Sequence, residues 1–256
     1  MKESVDGIIL VLSCQKHMHI RLKEFKLSQN QYDNWKVIYV IGDFFLNKEY
    51  EMRDDNYLWI KCEDSYLHII KKLALSIKYL NQIFDIKEGI LRCGDDLIFN
   101  DNNLVSFIRS PKFDYYGQNW LGKTGPHIEE INSSINDREM YNYYVNHPED
   151  FDNPQHNVKR EDAPKFLTRP TIRGFASGVI FYISNKACKI IVDHMEAISY
   201  DVLAFDENTK SYPYTAEDCG IAFIMFSNKI PLVNSYIFWS QNYNPDVICT
   251  HTNKYK

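Results

Sequence analysis

The sequence predicts an α/β fold built on a mostly parallel central sheet with helices on its faces. Two observations carry this for the first half. Continuous apolar runs suit strands covered on both sides, and a helix-period stripe lies between them in sequence. A third observation, the break in pattern after residue 120, predicts a mixed second half and a long loop insertion.

Gly7 to Leu12 is the first apolar run, and Lys36 to Ile41 is the second, ending at Gly42-Asp43. Tyr57 to Ile60 is a short third strand. Between the first two, His17 to Asn30 is polar, with Ile20, Leu22, Phe25 and Leu27 spaced for a short helix. The strongest helix starts near Asp64-Ser65, either of which suits an N-cap. Tyr66, Ile69, Ile70, Leu73, Ile77, Leu80 and Phe84 then recur at three- and four-residue steps, leaving Lys71, Lys72 and Lys78 off the stripe. Gly89 to Arg92 reads as the next strand, Asn102 to Arg109 as a helix, and Phe113 to Trp120 as a strand.

Residues 121–170 are rich in Asn, Asp, Glu, His and Pro and show little periodicity, which predicts a loop-rich lid or wall. An ordered block follows. Gly174 to Ser184 reads as a strand, Asn185 to Ile198 and Thr215 to Ser227 as helices, and Pro231 to Trp239 as a strand. Residues 240–256 read as a polar tail. The whole of 1–256 reads as one domain, divided into 1–120, the insertion 121–170, and 171–256.

Hydrophobic residues make up 45% and charged residues 25%, with a net charge of −5. That is an ordinary globular composition without the basic block a nucleic-acid surface needs, so no nucleic-acid partner is expected. The six cysteines, Cys14, Cys62, Cys93, Cys188, Cys219 and Cys249, stand singly with no C-x-x-C pair. A zinc site is therefore not expected, and a reducing compartment is. No run approaches the roughly eighteen apolar residues of a membrane span, so a cytoplasmic protein without one is expected.

Function is best sought in Arg92-Cys93-Gly94-Asp95-Asp96-Leu97-Ile98-Phe99-Asn100. Two adjacent carboxylates follow a buried strand, and the carboxyl ends of strands are where open α/β sheets bind ligands. Two hard oxygen donors there suit Mn²⁺ or Mg²⁺ bridged to substrate phosphates. The plainer reading is a turn, since Gly-Asp-Asp is ordinary turn chemistry. Taken alone, the turn is the better reading.

A set of blocks in order changes that: Gly7 to Ser13, Val37 to Asp43, Asp64-Ser65-Tyr66 with its lysine-bearing helix, Arg92 to Asn100, Gly174 to Gly178 leading into Tyr182-Ile183-Ser184, and Glu217-Asp218-Cys219-Gly220. This order resembles the β-1,3-galactosyltransferase and Fringe-like family of inverting glycosyltransferases, over about residues 7 to 228. The family's helix motif D-S-Y-x-N-L-T-x-K reads here as Asp64 to Lys72. Its metal motif K-x-D-D-D-V reads as Arg92 to Leu97, its S-G-x-x-Y-x-x-S as Ser177 to Ser184 with Tyr182 one place late, and its E-D-V-x-x-G as Glu217-Asp218-Cys219-Gly220 with the glycine two places early. Departures are Gly94 for the first motif acid, and His68 and Ile70 for the family Asn and Thr. The family's transmembrane anchor and paired cysteines have no counterpart. The richness in Lys, Asn, Ile and Tyr suggests an AT-rich genome, that of a large DNA virus or a host-associated bacterium.

The resemblance implies a GT-A type fold, with 1–120 as the nucleotide-binding half and 171–256 as the acceptor-side half. It implies a UDP-sugar donor, a glycan or glycoprotein acceptor, and Mn²⁺ or Mg²⁺ as cofactor. Asp96 would hold the metal, with Asp95 around it and the ribose, and His251 as a late ligand. Asp218 would be the general base and Glu217 its support or a donor contact. Ser13, Arg21, Arg92, Gly94 and Gly178 would line the donor side. Plainer readings stand beside these. Thr215 to Asp218 fits a capping box, Arg21 suits a solvated helix, Lys71 and Lys72 a wet face, and Tyr66 packing. His17 and His19 suit an exposed loop, and His251 a loose tail. The rival functions are an inactive nucleotide-sugar or carbohydrate-binding module and, more remotely, a polymerase-like site.

Overall fold

The computed structural model describes residues 2–25, 27, 32–119, 131–172 and 174–252. The end of the predicted first helix at Asn30, Trp120, the start of the insertion at 121–130, and the tail beyond Thr252 lie outside them. The chain runs β1 (Glu3–Leu12), α1 (Gln15–Met18), α2 (Arg21–Glu24), β2 (Trp35–Gly42), β3 (Tyr50–Arg53), β4 (Tyr57–Ile60) and α3 (Ile69–Ile83). It continues through β5 (Phe84–Cys93), β6 (Leu97–Phe99), α4 (Asp101–Arg109), β7 (Tyr115–Asn119), β8 (Ser134–Asn136), α5 (Arg138–Asn146) and α6 (Glu149–Asp152). The last elements are β9 (Thr168–Pro170), β10 (Ala176–Ser184), α7 (Asn185–Ala197), α8 (Glu217–Ser227), β11 (Val233–Asn234), β12 (Trp239–Ser240) and β13 (Cys249–His251).

Eight strands form one mixed sheet in the order β11-β7-β10-β5-β1-β2-β4-β3. β5, β1, β2 and β4 are parallel, as the alternation of strand and helix predicts. β10 runs antiparallel to both β5 and β7, and β3 is an unpredicted antiparallel edge strand beside β4. β3 buries none of its residues, so it carries no apolar run to betray it. The run in β1 is continuous because both faces are covered. Ile8, Leu10 and Leu12 join the core under α3, α7 and α8, and Ile9 and Val11 join a second core with Leu104 and Phe107 of α4. Among the described residues no helix is long and apolar enough to cross a membrane.

Several local expectations are corrected. The segment at His17 forms two single-turn helices, α1 and α2, in place of one. α3 stops at Ile83, and Phe84 opens β5. Neither Asp64 nor Ser65 caps α3 with its side chain. The Asp64 carboxylate instead accepts from the Gln15 N–H (2.8 Å), the Gly42 N–H (3.2 Å) and Lys72 Nζ (2.5 Å). Lys72 is 3% exposed and is no part of a wet face. Burial works against its charge, and Asp64 outweighs that and raises its pKa. The part of the insertion within the described residues is largely ordered. Asp137 caps α5 by accepting from the Met140 N–H at 2.9 Å, and Met140 and Tyr144 fix one face of it. α8 starts at Glu217, and no capping box forms: Thr215 donates to the Tyr212 carbonyl at 3.1 Å, and Asp218 Oδ1 accepts from the Cys219 N–H at 2.8 Å. The last predicted strand shrinks to β11 and the start of β12, and the polar tail contributes β13, antiparallel to β6.

Lys72→Met removes one partner of a buried ion pair and leaves the Asp64 carboxylate among backbone donors alone. A loss of about 3 kcal/mol is expected, read from urea unfolding at pH 7. A loss indistinguishable from zero would show that Asp64 is satisfied without the lysine.

Candidate functional site

The chain lays down β1, β2 and β4 outward on one side, then returns through α3 to place β5 on the other side of β1. The strand order therefore reverses between β1 and β5, and ligands of open α/β sheets bind beyond the carboxyl ends of strands at such a reversal. Ser13 follows β1 there, and Asp95 and Asp96 follow β5.

Asp95 is 5% exposed and fully engaged. Its Oδ2 accepts from Ser13 Oγ at 2.6 Å and from His17 Nδ1 at 2.9 Å, and its Oδ1 accepts from Arg21 at 2.9 Å. Burial disfavours the Asp95 charge, but these three donors outweigh it and hold its carboxyl below the usual range. Burial likewise opposes a charge on His17. The bond to Asp95, aided by Cys14, overcomes it and raises the His17 pKa to about 9, so the ring is cationic at neutral pH. Asp96 is more open: its side chain is 24% exposed, with Oδ2 3.4 Å from Arg21 and 3.2 Å from His251 Nε2. Pairing of His251 with Leu97 across β13 and β6, and the Thr252 N–H to Asp96 carbonyl bond at 2.9 Å, tie the tail to the acid loop.

A second cluster lies one strand over. Arg92 of β5 donates to Glu217 Oε2 at 2.8 Å and to the Gly178 carbonyl. Glu217 and Asp218 open α8, in which residues 219–226 are apolar all round and buried. Burial raises the Glu217 pKa to about 7 against the pull of Arg92, and it raises that of Asp218 against the Cys219 N–H, Arg169 and Arg92. Arg169, on β9, is held by Asp137 at 3.0 Å and reaches Cys219 Sγ at 3.3 Å, so the insertion forms one wall beside Asp218. Gly178 lies close to both acids: a Cβ there would stand 3.3 Å from Glu217 Oε2, a tight contact, and 4.0 Å from Asp218 Cβ, an ordinary one.

The two clusters meet through the backbone. The Gly94 N–H donates to the Val179 carbonyl at 3.0 Å, placing the acid loop against the residue that follows Gly178. Of the residues singled out in sequence, Ser13, Arg21, Asp95, Asp96 and His251 thus form one group, and Arg92, Gly178, Glu217 and Asp218 the other, with Gly94 between. Arg21 lies on the acids and is not a solvated helix residue. Arg92 braces Glu217 from a position 4% exposed, which leaves it no open face toward a donor. His17, first read as an exposed loop residue, and Lys72, which donates to the Ser13 carbonyl at 2.8 Å, both belong to the site. For Lys72 the signal was present: an acid eight residues earlier, Asp64, that had no partner in the helix pattern.

Among the described residues no three His, Cys, Asp or Glu side chains converge on a cation position. The Asp95 oxygens are taken by Ser13, His17 and Arg21, so Asp95 fits a positioning role better than a metal bond. Asp96, more open than Asp95, and His251 are the two groups here that could contribute to a cation site, since Mg²⁺-type sites commonly take only one or two carboxylates from the protein. A cavity of about 740 Å³ opens at the opposite end of the central strands, by Asp33, Glu88, Arg109 and Lys112. Its charges neutralise each other, Arg109 with Asp33 and Lys112 with Glu88. The acid clusters are the better candidate because they lie where the strand order reverses, beyond the carboxyl ends of β1 and β5.

Comparison with models of known protein families finds no match, and none of the curated proteins compared matches the chain.

Proposed function

We propose that this chain is a metal-dependent inverting glycosyltransferase of GT-A type that moves a hexose or N-acetylhexosamine from a UDP-sugar to a hydroxyl of a glycan or protein-linked acceptor. One observation carries the reading: Asp95/Asp96 and Glu217/Asp218 flank the adjoining ends of β5 and β10, joined by the Gly94–Val179 hydrogen bond. The resemblance in motif order and the parallel β1, β2, β4, β5 half support it.

Asp96 and His251 would hold the cation, which neutralises charge building on the leaving diphosphate. Arg21 and the cationic His17 flank the same place and add to that stabilisation. Asp218 takes the proton of the acceptor hydroxyl as it attacks the anomeric carbon from the face opposite the diphosphate. One base and one in-line displacement invert the centre. The raised pKa of Asp218 suits a base working near neutral pH. Glu217, braced by Arg92, keeps the start of α8 fixed.

A second reading is favoured by the charge balance around Asp95, where His17 and Arg21 already neutralise the two acids. It is a nucleotide-sugar-binding module without turnover. The test of both is thermal stability with UDP-, GDP-, CDP- and dTDP-sugars, with and without Mn²⁺, followed by UDP release. A melting shift specific to UDP-sugar with Mn²⁺, together with slow UDP release that chelator stops, is expected. Absence of any UDP-sugar shift sinks both readings, and a shift without release leaves the module.

A further inference from the structure

A short turn of the insertion reaches the loops behind the acid clusters. Pro154 fixes its own φ, and Asn153 Oδ1 accepts from the Gln155 N–H at 3.0 Å, so Asn153-Pro154-Gln155 presents the glutamine in one orientation. Gln155 then bonds to three points on the chain. Its Oε1 accepts from the Phe44 N–H at 2.9 Å, its Nε2 donates to Asp43 Oδ1 at 3.1 Å, and its carbonyl accepts from the Asp64 N–H at 2.9 Å. Asp43 and Phe44 follow β2, and Asp64 follows β4. A single glutamine in a polar stretch broken by prolines gives no sequence pattern that marks this role.

From Asp64 the contacts run inward to the acid loop. The Asp64 carboxylate accepts from the Gln15 N–H, the Gly42 N–H and Lys72, and Lys72 Nζ donates to the Ser13 carbonyl at 2.8 Å. Ser13 Oγ and His17 Nδ1 share one acceptor, Asp95 Oδ2, at 2.6 and 2.9 Å. Lys72, Ser13 and Asp95 are all buried, so a bond lost among them is not replaced by water, and a shift of one is felt by the next. We infer that Gln155 is a positioning residue of the candidate site: it fastens the insertion to the loops after β2 and β4, fixes Asp64, and through Lys72 and Ser13 sets the loop that carries Asp95 and Asp96. That this loop binds nucleotide rests on the proposed donor reading. The setting of Ser13, Asp95 and His17 can be read without it.

The experiment compares Gln155→Ala and Gln155→Leu with the wild-type chain. Tyr143→Phe is the control, since it loses a bond to Asp150 (3.0 Å) that stays inside the insertion. Thermal melting checks folding, and Gln155→Glu, which keeps the acceptor for Phe44 and loses the donor to Asp43, is the milder variant if the others melt early. Without nucleotide, NMR should show the His17 imidazole signals shifted in the Gln155 variants. Amide exchange at Gln15, which bonds to Asp64, should quicken about fivefold, the scale of one ordinary hydrogen bond. With nucleotide, KM for the UDP-sugar and Kd for UDP with Mn²⁺ should rise roughly five- to tenfold while kcat stays within about twofold, the split expected when binding geometry is disturbed and the base is not. Unmoved His17 and Gln15 signals in folded Gln155 variants, equal changes in Tyr143→Phe, or a fall in kcat at unchanged KM would overturn the inference. If the wild-type chain binds no UDP, the donor reading falls, and the His17 and Gln15 signals alone decide whether Gln155 sets the acid loop.

Discussion

Asp218→Asn is expected to lower UDP release and transfer by about 10²–10⁴-fold, the range of a lost general base. UDP affinity should stay within about twofold, because Asp218 lies in the second cluster and touches neither Asp96 nor His251. The substitution is mild in structure. An amide oxygen still accepts from the Cys219 N–H, so the start of α8 is kept. It also removes a carboxyl whose charge is disfavoured by burial, so stability should not suffer. Steady-state UDP release and calorimetric UDP titration separate the two readouts. Unchanged turnover would strip Asp218 of its role.

Asp96→Asn is expected to fail in the other way. Losing the anionic ligand should cost transfer about 10³-fold or more, the several kcal/mol a bound cation contributes at a developing charge. Here UDP binding in Mn²⁺ should weaken as well, and the Mn²⁺ dependence of binding should largely disappear. The variant keeps a side chain of the same shape beside His251 and Arg21, so an unfolded protein is not expected. The contrast between the variants is the decisive result: one loses chemistry and keeps nucleotide, the other loses both. Retained Mn²⁺-dependent UDP binding in Asp96→Asn would move the cation elsewhere.

The parallel half of the sheet was legible because β1, β2 and β4 are covered on both faces and their apolar runs are unbroken. α3 was legible from its stripe, except at its ends, where Asp64 cross-links loops and Phe84 turns into β5. β3 and β13 were not legible: one is a polar edge strand, and the other is held by pairing with β6 and not by its own composition. The acids at 95, 96, 217 and 218 were readable as motifs, but their meeting was not. It depends on β10 entering antiparallel beside β5, a long-range pairing that leaves no local pattern. His17 was misread for the same reason, since an isolated ring shows its environment only after the chain has folded.

The clasp between β6 and β13 has a practical bearing on how the protein is handled. A polyhistidine tag fused downstream of Thr252 would hang its imidazoles within reach of Asp96, where they could sequester added manganese or mimic His251. A tag placed ahead of β1 emerges at the end of the strands away from Asp96. A metal titration carried out on that form tests Asp96 and His251 without competing imidazoles.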